Sequence, residues 1–438
     1  MKAVITWTLL LMFCSVGAFA QTEKEETPEQ PSGVSYLTGE QGPEEETWGT
    51  IDPGKGFLVG KTPLGSLSIS GYMLVRYLNQ LPAEQSFVDH LGTHHEIDTR
   101  NDIQIHRVMI WLKGWLYDPK LTYSFLIWGL NSTNSTAIVG SINYEFSEKL
   151  TIGGGIDGMP GIRSLNGQHP YFLGTDRQLA EEFFKPSFTS GVWARGAVIP
   201  SLNYRFMIGD NLSQVGVNAA QMSRDLAYGG SIWWMPTTGE FGPRGGFGDY
   251  EIHDKLATRF GVSSIYSRED RQKNLNTAAP GNTQVRLSDS LLLFEPNALA
   301  KGVIVEKADY RVLTLDAAMK YRGFFVQTEF YFRWLSNFLA DGPVPIDSTF
   351  DQGVGIHSAY QIIPKKFEGQ LVGSYIFGEF NDSWELGIGG NYYPFDTRNF
   401  RFNALLSHID RSPVDSLFGY YVGGQTGPLI SVAADIFF

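Results

Sequence analysis

The residues of this 438-residue chain best suited to chemistry are scattered, and no grouping of them builds a reaction centre. Gly153-Gly154-Gly155-Ile156-Asp157-Gly158 satisfies G-x-G-x-x-G behind a strand-like run. A dinucleotide site needs a helix to open at once after those glycines, so that its first amides meet the pyrophosphate. Met159-Pro160-Gly161 follows instead, so the run reads as a glycine-rich strand entering a loop. His90, His94, His95, Glu96 and Asp98 could hold a divalent cation, but their spacing fits no established ligand pattern and reads as a solvated loop. His357 and His408 lie in strand-like runs with no motif joining them to a hydroxyl. A rim-site hydrolase is therefore the weakest reading. Trp233-Trp234-Met235-Pro236 could stack sugars, but reads first as an interfacial aromatic girdle. No enzyme activity, cofactor or metal is implied. Clustered basic residues of the kind that bind nucleic acid are absent. What remains is a set of basic side chains whose role depends on the direction in which they point.

That direction is set by strands with a period of two. Leu67, Ile69, Met73, Val75 and Tyr77 share one face, and Ser68, Ser70, Tyr72 and Arg76 the other. Phe324, Val326, Thr328, Phe330, Phe332 and Trp334 oppose Gln327, Glu329, Tyr331 and Arg333. Phe367, Leu371, Tyr375 and Phe377 oppose Glu368, Gln370 and Ser374. At the C-terminus Ile430, Val432, Ala434, Ile436 and Phe438 oppose Ser431, Ala433, Asp435 and Phe437. A charge on a lipid-facing position near the bilayer centre costs roughly 2–4 kcal/mol, so the charged faces must line a wet interior. In Ile103 to Trp115 the alternation shifts after His106-Arg107, and a β-bulge there reconciles the two halves.

Some sixteen to eighteen such segments can be counted, each near the roughly 9–11 residues a tilted strand needs to cross a bilayer. The pattern predicts an all-β, transmembrane, antiparallel barrel of about 16 strands over residues 56–438, closed because no backbone group can go unpaired in lipid. Sixteen strands leave an aqueous channel. Tight turns are expected at Tyr117–Lys120, Pro364–Lys366 and Pro394–Arg398, and long outward loops near 79–101, 157–190, 267–285, 336–350 and 410–425. With both ends of the chain in the periplasm, the short turns face that side.

Composition agrees. Aromatic residues make up 14% and charged residues only 18%, below the roughly one quarter usual in soluble domains. Residues 1–20 carry Lys2, an apolar stretch and Ala18-Phe19-Ala20, and read as a signal peptide. The only cysteine, Cys14, lies within it, behind Met12 and Phe13, where a lipidated cysteine would follow small residues. Residues 21–55 hold nine acids against Lys24 and Lys55, with Pro28, Pro31, Pro43 and Pro53, and read as a disordered, acidic periplasmic lead. That lead is too short and too acidic for the plug of an energised transporter.

Asn101 to Leu130 (NDIQIHRVMIWLKGWLYDPKLTYSFLIWGL) resembles an early strand pair of the phosphate-selective porin O and P family, with Arg107, Ile110, Leu112, Gly114 and the Asp118-Pro119 turn carrying the likeness. Met159-Pro160-Gly161 with Asp176-Arg177, and Gly389-Gly390-Asn391-Tyr392-Tyr393-Pro394 near the end, follow in the order that family has. The resemblance implies a homotrimer of sixteen-stranded barrels, a loop folded into each lumen, and diffusive uptake of small anions such as phosphate.

Anion selection needs basic groups at the constriction. Parity places Arg76, Arg205, Arg259, Lys320, Arg322, Arg333 and Arg401 inside, together with Asp316, Glu329, Glu368, Glu385 and Asp435. The resemblance adds Arg107, and the infolding loop adds Arg163, Arg177 and Lys185 beside Asp176, Glu181 and Glu182. The interior is thus mixed in sign. The reading is an outer-membrane porin in contact with lipid and lipopolysaccharide, passing small polar or anionic solutes. A binding or adhesion barrel with a plugged lumen is the main alternative.

Overall fold

A computed structural model describes residues 56–130, 135–166, 170–212, 225–242, 246–270, 285–416 and 419–438. The expected signal peptide (1–20) and acidic segment (21–55) lie outside the described residues. The strands are β1 (Phe57–Thr62), β2 (Gly65–Gln80), β3 (Ser86–Val88), β4 (His94–Glu96), β5 (Asn101–Leu116), β6 (Asp118–Leu130) and β7 (Ser135–Ser147). They continue as β8 (Leu150–Gly158), β9 (Phe188–Ile199), β10 (Leu202–Gly209), β11 (Ala227–Trp234), β12 (Ala257–Asp270) and β13 (Val305–Tyr321). The last six are β14 (Phe324–Ala340), β15 (Ser348–Ile363), β16 (Phe367–Phe377), β17 (Ser383–Tyr392), β18 (Phe400–Asp410) and β19 (Gly427–Phe437).

Leaving out β1 and the small β3–β4 hairpin, sixteen strands form one antiparallel cylinder. β1 pairs with β2, from Phe57↔Ile69 to Thr62↔Gly65. The seam is β19 against β2, from Leu429↔Gln80 to Phe437↔Tyr72. Gly71 and Phe438 complete it by exchanging both backbone hydrogen bonds at 3.0 Å. Gly71 is required there, since a Cβ would stand 2.7 Å from the Phe438 ring. Closure gives each of the sixteen cylinder strands a neighbour on both sides, which lipid demands.

The two faces divide as the alternation predicts. On β14, Gln327, Glu329, Tyr331 and Arg333 are buried inside while Phe324 and Trp334 are exposed outside. Ile103 is 76% and Ile138 72% exposed, side chains that belong against hydrocarbon rather than water. The bulge is real. Leu74 faces Arg107 and Val75 faces Ile105, so His106 is the extra residue and both His106 and Arg107 are buried inside. Trp234 points outward as a girdle residue would, but Trp233 points inward.

Tight turns fall at Tyr117, Lys365 and Asp396, each with positive φ. The loop expected over 336–350 shrinks to 341–347, because β14 and β15 carry their alternation beyond the apolar belt. At the mouth bearing β1 and Phe438 (the near mouth), the connection 235–256 is long where a short turn was expected. Its glycines and acids resemble any solvated loop, so its inward course has no sequence signal.

The expected open lumen is packed in this structure. Residues 159–166, 170–187, 285–304, 411–416 and 419–426 fold in from the far mouth, and 235–242 and 246–256 from the near one. Three buried apolar clusters form inside the wall.

Candidate functional site

The segment after β8 leaves the wall at Met159-Pro160, where proline cannot donate to the ladder. It makes a 3₁₀ turn (Arg163–Leu165) and a short helix, α1 (Leu179–Phe184), inside the lumen. A capping box starts α1: the Gln178 amide donates to Glu181 Oε2 at 3.0 Å, and the Glu181 amide to the Gln178 side chain. Across the lumen, the Leu179 amide donates to Glu385 Oε2 at 2.9 Å, a carboxylate where the helix dipole favours one. The far end is seated by a missing side chain. A Cβ on Gly353 would lie 2.4 Å from Phe184, whose ring stacks on Tyr331 at 5.1 Å.

The loop is clamped to opposite walls. Asp176 accepts from Arg107 at 2.8 Å and from Arg76 at 3.4 Å, and meets His106 Nε2 at 3.4 Å. Burial alone would raise its pKa, but Arg107, His106 and Arg76 hold the carboxyl well below the usual range. Arg401 pairs with Asp435 through Nε at 3.0 Å and Nη2 at 2.9 Å, and donates to the carbonyls of Phe172, Leu173 and Gly174. His357 lies 3.2 Å from Glu181. From the 411–426 loop, the Tyr421 hydroxyl donates to Glu385 at 2.8 Å, and the Thr175 amide donates to Tyr420 at 2.8 Å.

The other bases expected at a constriction meet acids too. Arg205 reaches Asp157 at 2.9 Å, Arg333 reaches Asp351 at 2.7 Å, and Arg259 pairs with Asp316. Arg163 approaches Asp316 at 4.0 Å while its amide donates to Glu329 at 2.9 Å. Lys185 pairs with Glu182 at 2.5 Å, and Arg177 approaches Glu182 at 4.0 Å. Arg322 is corrected outright: it sits exposed in the turn between β13 and β14, at φ 49°, because β13 ends at Tyr321. Lys320 differs from the rest. It is fully buried, and its Nζ has no hydrogen-bond partner among the described residues. A narrow cleft of about 20 Å3, lined by Arg107, Arg177 and Lys185 with Asp176 and Glu182, has room for about one water.

At the near mouth Phe241 and Phe247 are buried against Phe325, Trp233 and Ala359. Phe247 meets Phe172 of the far-mouth loop at 6.3 Å, and the Arg163 guanidinium lies 6.0 Å over Phe241. The base of this connection is held by His253, which bridges Asp249 through Nδ1 and Glu240 through Nε2 at 3.0 Å. The bonds to Asp249 and Glu240 push the His253 pKa up to about 9.

The chain aligns with solved structures along most of its length. The fold is the porin barrel. OmpT of Vibrio cholerae aligns at 10% identity over 86% of this chain and 99% of that one, with a TM-score of 0.54. An anion-selective porin from Comamonas acidovorans aligns at 11% over 85% and 100%, at 0.52. Salmonella typhi OmpF, in complex with daunomycin, aligns at 13% over 86% and 99%, at 0.50. No family model matches the sequence, and no curated protein does.

His106 and Glu385 join Arg76, Arg107, Arg401 and His357 in holding the loop, and Gly353 is the socket for Phe184. The parity break at His106, the inward face of Glu385 and the place of Asp176 on the infolding loop were visible in the sequence. Their pairing, and the Gly353 socket, depend on partners on distant strands.

Proposed function

We propose that this chain is an outer-membrane diffusion channel for small polar solutes, with a preference for anions such as phosphate. The observation that carries the reading is the clamped loop: a closed barrel with an apolar exterior holds a charged segment at fixed height across its lumen. A bare structural wall would have no use for such a segment. Selection would occur where Arg107, Arg177 and Lys185 outnumber Asp176 and Glu182 around one cleft. The fold shared with the Comamonas anion-selective porin supports the class of activity. In this reading the near mouth faces the periplasm, residues 1–20 direct export, the exterior meets lipid and lipopolysaccharide, and barrels assemble as trimers.

The test is planar-bilayer recording of the refolded chain in asymmetric potassium chloride. A reversal potential of the sign set by chloride flux is expected; a cation-selective current would refute the preference, and silence the whole reading. One observation favours a second reading, a non-conducting barrel that binds a partner. The inward charges are almost all buried, so conduction requires something to move.

A further inference from the structure

We propose that the cleft between the infolded loop and β5 seats one monatomic anion, a halide such as chloride, which staples both ends of α1 to the barrel wall. The inference deepens the channel reading, in which anions pass this cleft, by saying that one of them stays. It draws on the charge of the cleft and not on conduction.

Three donors on residues that line the cleft have no acceptor among the described residues: Arg107 Nε, Arg177 Nη2 and the Ser187 hydroxyl. Arg107, Arg177 and Ser187 are only 2%, 5% and 2% exposed. Other donors of the two guanidiniums are already committed. Arg107 donates to the Thr175 carbonyl at 3.1 Å and to Asp176 at 2.8 Å, and Arg177 donates through Nε to the Ser164 hydroxyl at 2.9 Å. A buried donor left without an acceptor is costly, and three around one space ask for a shared acceptor.

The charges in and around the cleft do not cancel. Arg76, Arg107, Arg177 and Lys185 face Asp176, Glu181 and Glu182. His106 also approaches Asp176, and Glu181 is shared with His357. At least one base is left over, and a buried charge without a counter-charge draws one in. Arg107 and Arg177 both lie over the Phe172 ring, at 5.8 Å and 5.0 Å, which brings like charges together. A water accepts from two donors at most and leaves the excess charge uncompensated. An anion serves all three donors through charge-assisted bonds and cancels it. The space of about 20 Å3 has room for about one water, which suits a single atom; a tetrahedral oxyanion would need the loop to shift.

Position gives the ion its role. Arg177 precedes α1, Ser187 follows it, and Arg107 belongs to β5. An ion shared by the three ties both ends of the helix to the wall.

The experiment is limited trypsin digestion of the full folded chain in sodium chloride and in sodium gluconate of equal ionic strength. Rates are normalised to a peptide substrate, and folding is checked by the heat-dependent gel mobility of barrels. Cleavage after Arg163 or Arg177 should slow saturably in chloride, reaching about tenfold when chloride stands at about nine times its dissociation constant. Ser187→Ala, which weakens the site about tenfold, should cut that protection to about twofold at the same chloride concentration. Ser187→Thr, which keeps the hydroxyl, should restore it. Equal cleavage of wild type in the two salts overturns the staple, as does full protection persisting in Ser187→Ala, or protection by sodium phosphate and not by chloride. If the loop resists trypsin in both salts, diffraction from bromide-soaked crystals decides: an anomalous peak in the cleft upholds the proposal, and its absence overturns it. Neither readout involves current. A chain that conducts without binding halide refutes the staple alone, and one that binds halide but never conducts refutes the channel alone.

Discussion

Replacing Asp176 with alanine removes the carboxylate that two guanidiniums and an imidazole share, leaving Arg76 and Arg107 buried together. Stranding one partner of a buried pair costs about 3–5 kcal/mol. Here the lower end applies, because each arginine keeps a carbonyl: Arg76 donates to Gly419 at 2.8 Å and Arg107 to Thr175 at 3.1 Å. The wall strands stay paired without Asp176, so the loss falls on docking of the loop and not on the barrel. Loop release can be read as the rate of trypsin cleavage after Arg163 or Arg177 in the folded protein. When opening is fast relative to cleavage, that rate follows the open population, so about 3 kcal/mol becomes roughly a 150-fold acceleration. Asp176→Asn, which keeps an oxygen for Arg107 but no charge, should fall between. Acid should imitate the substitution. The folded pKa is depressed, so the contribution is whole above the unfolded value near 3.9 and is lost as pH falls through the folded one. Cleavage of Asp176→Ala within threefold of wild type would show that the clamp does not hold the loop.

His253 is raised to about 9 in the fold, so its bridge is fully present below about pH 6.5 and is lost as pH rises through 9. Limited proteolysis of the near-mouth connection, normalised to a peptide substrate, should therefore quicken between pH 7 and 10, while His253→Gln should be fast at both; a flat wild-type profile rejects the bridge. Gly353→Val should expel the Phe184 ring at a cost of about 1–3 kcal/mol in loop docking. The same tryptic assay measures it, and an unchanged rate would mean the socket is not needed.

The cylinder was legible because lipid and backbone leave a β-chain few options: alternation in β14 or β19 already says which side chains face out. The bulge was legible for the same reason, since Ile103 and Ile105 cannot share a register with Val108 and Ile110 otherwise. The filling of the lumen was not. Asp176 beside Arg177 reads as a mixed loop until Arg76 and Arg107, on strands far away in sequence, are brought to it. Arg322 was misplaced by extending an alternation one residue past the end of its strand. Phe241 and Phe247 lie among glycines, where nothing periodic marks them as buried.

The doubled inward position on β5 separates two jobs that a regular strand would tie together. β2 needs no partner at residue 106: Ile105 and Arg107 already meet Val75 and Leu74 in sequence. Dropping or restoring that residue therefore turns no other side chain of the strand from oil to water. His106 is thus the place on β5 where the chain can change in length and not merely in identity, so the grip on the loop can be retuned while the hull stays watertight.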